Sequence, residues 1–109
     1  MLRMIVVGAG LAVGMASALA QQAGDPDRGH AYAVMTCAPC HSIEKGGAAS
    51  PNPNAPVWRD IANMPGITAT ALRVFLSTPH QQMPDLVISP ANMQDLIAYI
   101  LTLQKQPAL

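Results

Sequence analysis

Cys37-Ala38-Pro39-Cys40-His41 sets two thiols three positions apart, with an imidazole directly behind the second. Thiols at that spacing can add across the two vinyl groups of one porphyrin edge. The next residue then brings its imidazole under the metal, so the pentapeptide reads as a c-type haem attachment site. Two other chemistries compete for it. A bare Cys-x-x-Cys also serves as a redox dithiol, or as half of a tetrahedral zinc site. Zinc needs two further ligands at similar local spacing. The chain has only 2 cysteines, and its other histidines, His30 and His80, stand alone.

An iron held on one side by His41 needs a second donor or an open position. Met1, Met4 and Met15 belong to an N-terminal leader, and Met35 is too near Cys37 in sequence to cross to the far side of a porphyrin. Met93 falls on the apolar stripe of the last helix and reads as core filler. Met64 and Met83 each precede a proline in a break between helices. Met83 is the expected ligand, since two helices separate it from His41 and give the chain length to wrap a macrocycle. Pro79 and Pro84 stiffen its loop and lower the entropy lost in presenting a donor. A thioether favours ferrous iron, so a Met/His pair raises the reduction potential. His80 is the remaining alternative, and His30 reads as a plain surface residue of the first helix.

The leader is residues 1–20. Arg3 supplies a positive start, an apolar run with small residues follows, and Ala18-Leu19-Ala20 is a small-x-small cleavage site. The run is short for a bilayer span and contains glycines, so a cleaved signal peptide is expected rather than a retained anchor. That leaves residues 21–109 as one domain, exported to an oxidising space. A disulfide between Cys37 and Cys40 would close too short a loop to restrain the unfolded chain much. Haem attachment gives the pair a better reason to exist, and in a bacterium it implies the periplasm.

Formal net charge is zero over the 109 residues, and losing Arg3 leaves one carboxylate in excess. No basic block suggests nucleic acid or anionic lipid. So small a domain has little apolar area to bury, and it holds 1 Trp, 1 Phe and 2 Tyr. A porphyrin would supply the missing apolar mass, and a haem-free chain is expected to be largely unfolded.

Helix signals complete the scaffold. Asp25-Pro26 is an N-cap followed by a proline suited to the first helical position, and it predicts a helix from Pro26 to Thr36 that delivers Cys37. Ala31, Val34 and Met35 share its apolar face by spacing. Gly46 to Pro56 is a loop of turn formers. A short helix is expected over Val57–Asn63, and another over Ala69–Ser77 with Leu72, Phe75 and Leu76 as its stripe. Ser89-Pro90 opens the last helix, in which Met93, Leu96, Ile97, Ile100 and Leu103 recur at helical spacing and which Pro107 ends. No strand and no repeat is evident, so the domain is all-α.

On these residues the chain resembles the class I c-type cytochromes of the bacterial periplasm. The shared features are Gly29 ahead of Cys37, the Cys37-to-His41 motif, Met83-Pro84, and Leu96-Ile97-Ala98-Tyr99-Ile100. The resemblance implies three to five helices around one covalent haem c. Its N- and C-terminal helices would cross closely, with Gly29 facing Tyr99. It also implies that the Pro56 carbonyl accepts a hydrogen bond from the second nitrogen of His41. One departure concerns the aromatic residue that the family often carries four positions before its first cysteine. Here that position is Ala33, and the aromatic is Tyr32.

With His41 and Met83 as axial ligands and Cys37 and Cys40 as thioethers, the expected function is a monomeric periplasmic carrier of single electrons. Trp58 or Arg59 could hydrogen-bond a haem propionate. The expected partners are periplasmic redox proteins: a dehydrogenase, an oxidase or a membrane cytochrome complex, with only transient membrane contact. Two alternatives stand beside it. The chain could be the haem subunit or dedicated acceptor of one dehydrogenase, or a haem protein with an open sixth site acting on peroxide or gases.

Overall fold

The computed structural model describes residues 24–80 and 82–105, together with Gly8 and Gly10. The expected cleavage site and Pro107 lie outside the described residues. Four helices are seen among the described residues, and no strand: α1 (Pro26–Thr36), α2 (Trp58–Ala62), α3 (Ala69–Ser77) and α4 (Pro90–Thr102). No helix among them is long and apolar enough to cross a membrane.

Capping chemistry starts three of the four. The Asp25 carboxylate accepts from the backbone N–H groups of Asp27 and Arg28, with Pro26 at the first position of α1. Thr68 Oγ1 accepts from Ala71 N at 3.1 Å, and Ser89 Oγ from Asn92 N at 3.2 Å. Each such cap contributes about 1 kcal/mol by satisfying a donor the helix leaves orphaned. α2 follows Val57, which makes no side-chain cap. Instead its first N–H, from Trp58, donates to Ser42 O at 3.0 Å, which ties α2 to the residue after His41.

α1 and α4 make the most extensive helix–helix contact. Its basis is small side chains rather than large apolar ones. A Cβ on Gly29 would overlap the backbone carbonyl of Asp95, and Ala33, one turn on, has no exposed surface. This corrects two expectations. The face formed by Ala31, Val34 and Met35 points outward, with Met35 83% exposed. The buried face is Gly29, Ala33 and Cys37. And Gly29 meets the backbone of Asp95 and Leu96 first, not a ring; the Tyr99 ring packs on His30 and Trp58. When two helix axes approach closely, the contact surface has room only for hydrogens and methyl groups, so hydrophobic bulk is excluded from it. Ala33 at full burial accounts for the missing aromatic, and Tyr32 packs against the core from the side.

The Asp95 side chain locks the same crossing. Its Oδ1 accepts from Asp25 N at 2.8 Å, and its Oδ2 lies 3.3 Å from Arg28 Nε. From α4, Met93, Leu96, Ile97, Ile100 and Leu103 are all buried, with Leu72 of α3 and Ala62 of α2 against the same core. α4 stops at Thr102, well short of Pro107, because Asn63 intercepts the chain there. Its Nδ2 donates to Leu103 O at 3.0 Å, and its Oδ1 accepts from Lys105 N at 2.7 Å.

Candidate haem site

The chain leaves α1 through a tight turn that carries the cysteines. Cys37 caps α1, its N–H donating to Ala33 O, and its own carbonyl accepts from Cys40 N at 3.1 Å and His41 N at 2.9 Å. Cys37 is buried and Cys40 exposed, both as free cysteines. Burial pushes the Cys37 thiol up from 9.0 to about 11, because the low-dielectric core disfavours the thiolate.

Backbone around His41 is pinned on every side. Cys40 O accepts from Asn52 N at 3.1 Å, Ser42 N donates to Ser50 Oγ at 3.0 Å, and Ile43 O accepts from the Tyr99 hydroxyl at 2.7 Å. The loop after the motif therefore folds back over it, and α4 holds it from below. The His41 side chain is fixed as well. Its Nδ1 lies 2.7 Å from Pro56 O. A carbonyl can only accept, so Nδ1 carries the proton, and in the neutral ring it is Nε2 that keeps the lone pair. This is the bond the resemblance implied.

His41 opens on a cleft of about 260 Å³ that Met83, Phe75, Ile61, Pro56 and His80 also line. An adjoining cavity of about 40 Å³ is walled almost wholly by apolar groups, among them Trp58, Leu72, Leu76 and Ile100. His41, Ile61, Phe75 and Met83 line both. The structure thus brings His41 and Met83 to one apolar space from distant parts of the chain. Such walls, with one available imidazole nitrogen and one thioether, suit a flat macrocycle carrying a soft-to-borderline metal. Met64 is 55% exposed and lines neither cavity.

Trp58 is buried, its ring centroid 6.1 Å from that of His41. It lines the smaller cavity as part of the core. Arg59 lines neither cavity; its Nε lies 3.7 Å from Asp60 Oδ1. Two residues emerge with roles that periodicity hides. Phe75 belongs to the apolar stripe of α3, yet it is 52% exposed because it walls the cleft rather than packing on a helix. His30, expected as a plain surface residue, places Nε2 2.6 Å from Glu44 Oε1 and its ring edge-on to Tyr99 at 5.0 Å. It braces α1 against the loop beyond His41. Neither contact has a local sequence signal, since both partners are remote in the chain.

Tyr99 makes this brace sensitive to base. Burial, and then the negative charge of Glu44, push its phenol up from 10.0 to about 12. The folded chain then keeps a proton that the unfolded chain has released. Its stabilising contribution is complete below the ordinary tyrosine value of 10.0, and it is lost as pH rises from there towards 12. Phenolate absorbance should show one tyrosine ionising late, and stability should fall across that window. Tyr99→Phe should remove the late component, and a late component that survives in that variant would refute the assignment.

Comparison with known proteins agrees with this geometry. The chain is 33% identical over 99 residues to cytochrome c-552 of Bradyrhizobium diazoefficiens, an alignment covering 91% of each protein. No solved structure matches the chain. The Cytochrome c family model matches residues 26–104, from the first residue of α1 to just beyond α4, so the chain belongs to the cytochrome c family, whose members bind covalent haem c and transfer electrons.

Proposed function

We propose that this chain is a periplasmic monohaem cytochrome carrying single electrons between redox proteins. His41 and Met83 would be its axial ligands, and Cys37 and Cys40 its thioether anchors. The observation that carries this reading is the convergence of His41 and Met83 on one apolar cleft, with His41 Nδ1 already committed to Pro56 O. Bound haem supplies an iron that exchanges one electron between ferrous and ferric states. The chain's own groups do the rest. The Pro56 carbonyl orients the His41 ring and raises its basicity. The Met83 thioether, delivered by a loop between Pro79 and Pro84, favours the reduced state. Ile61, Leu72, Leu76 and Ile100 keep water from the inner wall, which limits how far surroundings must rearrange when charge changes.

Trp58 stands 6.1 Å from His41 between ring centroids and lines the inner apolar cavity as a core aromatic, while Arg59 lines neither cavity. Export rests on the leader sequence, with Arg3 and Ala18-Leu19-Ala20 as its marks. The partner classes that fit a small carrier without a basic surface block are a periplasmic dehydrogenase, an oxidase or a membrane cytochrome complex.

The ferric optical spectrum tests the axial pair. The wild-type protein should show the weak sulfur-to-iron band at the red edge. Met83→Ala should lose that band and lower the potential while the haem stays attached. If Met64→Ala does this instead, the ligand assignment is wrong. A high-spin wild-type spectrum with rapid carbon monoxide binding would replace the carrier with an open-site haem protein.

A further inference from the structure

Three histidines lie among the described residues, and two have a ring nitrogen committed. His30 Nε2 is held by Glu44, and His41 Nδ1 by Pro56 O. For His80, no hydrogen-bond partner is found for either nitrogen among the described residues. Its ring is only partly buried, and it rests edge-on against Phe75 with centroids 3.9 Å apart. His80 also lines the cleft that His41 and Met83 share. An imidazole with no hydrogen-bond partner among the described residues therefore lines the cleft, on the same segment as the proposed thioether ligand.

The backbone between the two donors is unusual. Gln82, directly before Met83, has φ 72°, the one left-handed non-glycine residue among those described. A side chain in that region is held at a cost of about 1–3 kcal/mol. From Pro79 to Ser89 the described residues form no helix or strand that would resist a shift. His80 and Met83 therefore line one cleft from a segment that regular secondary structure does not hold.

We infer that His80 is a reserve ligand for the sixth position of the haem iron, taking it when the Met83 thioether is displaced. This rests on the His41/Met83 pair proposed above. Imidazole nitrogen is a good ligand for iron in either state, and it favours the ferric state more than a thioether does. The exchange would turn a high-potential centre into a low-potential one and keep small molecules off the iron. No electron or external reagent is needed, since one coordinate bond replaces another.

The test uses full-length, haem-loaded protein in three forms: wild type, Met83→Ala, and Met83→Ala combined with His80→Ala. Met83→Ala should lose the sulfur band yet remain low-spin, with a lowered potential. The double variant should be high-spin. Ferrous Met83→Ala should bind carbon monoxide about tenfold or more slowly than the double variant, because the gas binds only the fraction in which the imidazole has left. A Met83→Ala protein that is already high-spin, with gas binding that His80→Ala does not change, overturns the inference and leaves the axial pair standing. A low-spin spectrum that persists in the double variant overturns it too. A sulfur band that survives Met83→Ala instead defeats the axial pair itself. Should Met83→Ala fail to accumulate, Met83→Leu, which keeps the volume, gives the same readings.

Discussion

Gly29→Leu should destabilise the haem-loaded protein by about 3 kcal/mol or more. Two effects oppose each other at this position. Leucine is the better helix former by about 1 kcal/mol, which alone would stabilise α1. Against that, even a single Cβ at Gly29 would overlap the Asp95 carbonyl, with its next neighbours also backbone. A flexible side chain could swing aside, but a helical carbonyl cannot. The axes of α1 and α4 must part. That strips packing from Ala33 and Leu96, neither of which has exposed surface. It also pulls Asp25 and Arg28 from Asp95. In a domain whose whole stability is on the order of 10 kcal/mol, this is a large fraction. Urea unfolding followed by far-ultraviolet circular dichroism measures it. Gly46 is the control, because a Cβ added there would meet nothing within 4 Å; Gly46→Leu should stay within about 0.5 kcal/mol of wild type. A Gly29→Leu protein as stable as wild type would mean that α1 does not cross α4 there.

The second large effect is expected from Cys37→Ala combined with Cys40→Ala. On the proposed assignment the pair adds its two S–H groups across haem vinyl groups, and without it the cofactor is held only by axial bonds and apolar contact. Haem should then separate from the chain on denaturing electrophoresis, and holoprotein yield should fall sharply. The direct packing loss is small, since Cys37 is a small side chain and Cys40 is exposed. Any collapse would therefore report loss of the macrocycle. Phe75 is half-exposed and walls an open cleft, and without a macrocycle that apolar surface faces water. The haem-free chain should lose helical signal and melt without a sharp transition. If the double variant accumulates normally, haem-free and cooperatively folded, the pair is a redox dithiol instead.

Legibility differs from one element to the next. Helix starts are written locally. Asp25-Pro26, Thr68 and Ser89-Pro90 are caps whose donors and acceptors lie within three residues, and all three cap the helices expected. The stripe of α4 is equally plain, because it faces a core that accepts large side chains. The inner face of α1 escapes the same rule for the opposite reason. It is defined by the absence of bulk, and hydrophobic spacing selects bulk. The end of α4 escapes it because Pro107 is a local stop signal, while the actual terminus is set by Asn63, far away in sequence.

The amino-acid order alone determined the attachment motif, since the chemistry needs its two thiols and imidazole within one turn of chain. It also determined the helix caps and the candidate donors, among which Met83, Met64 and His80 could not be ranked by any local rule beyond loop stiffness and chain length from His41. Tertiary structure decided the rest. It placed Met83 on the cleft of His41 and left Met64 outside. It committed one His41 nitrogen to Pro56 and gave the other no partner among the described residues. It turned Phe75 from core filler into a wall, and set His80 beside the site. The physical reason is range. Capping and thiol spacing are satisfied by neighbours in the chain, whereas a second metal donor must come from the far side of the cofactor. Only the α1–α4 crossing, with the loops it anchors, determines which distant segment arrives there.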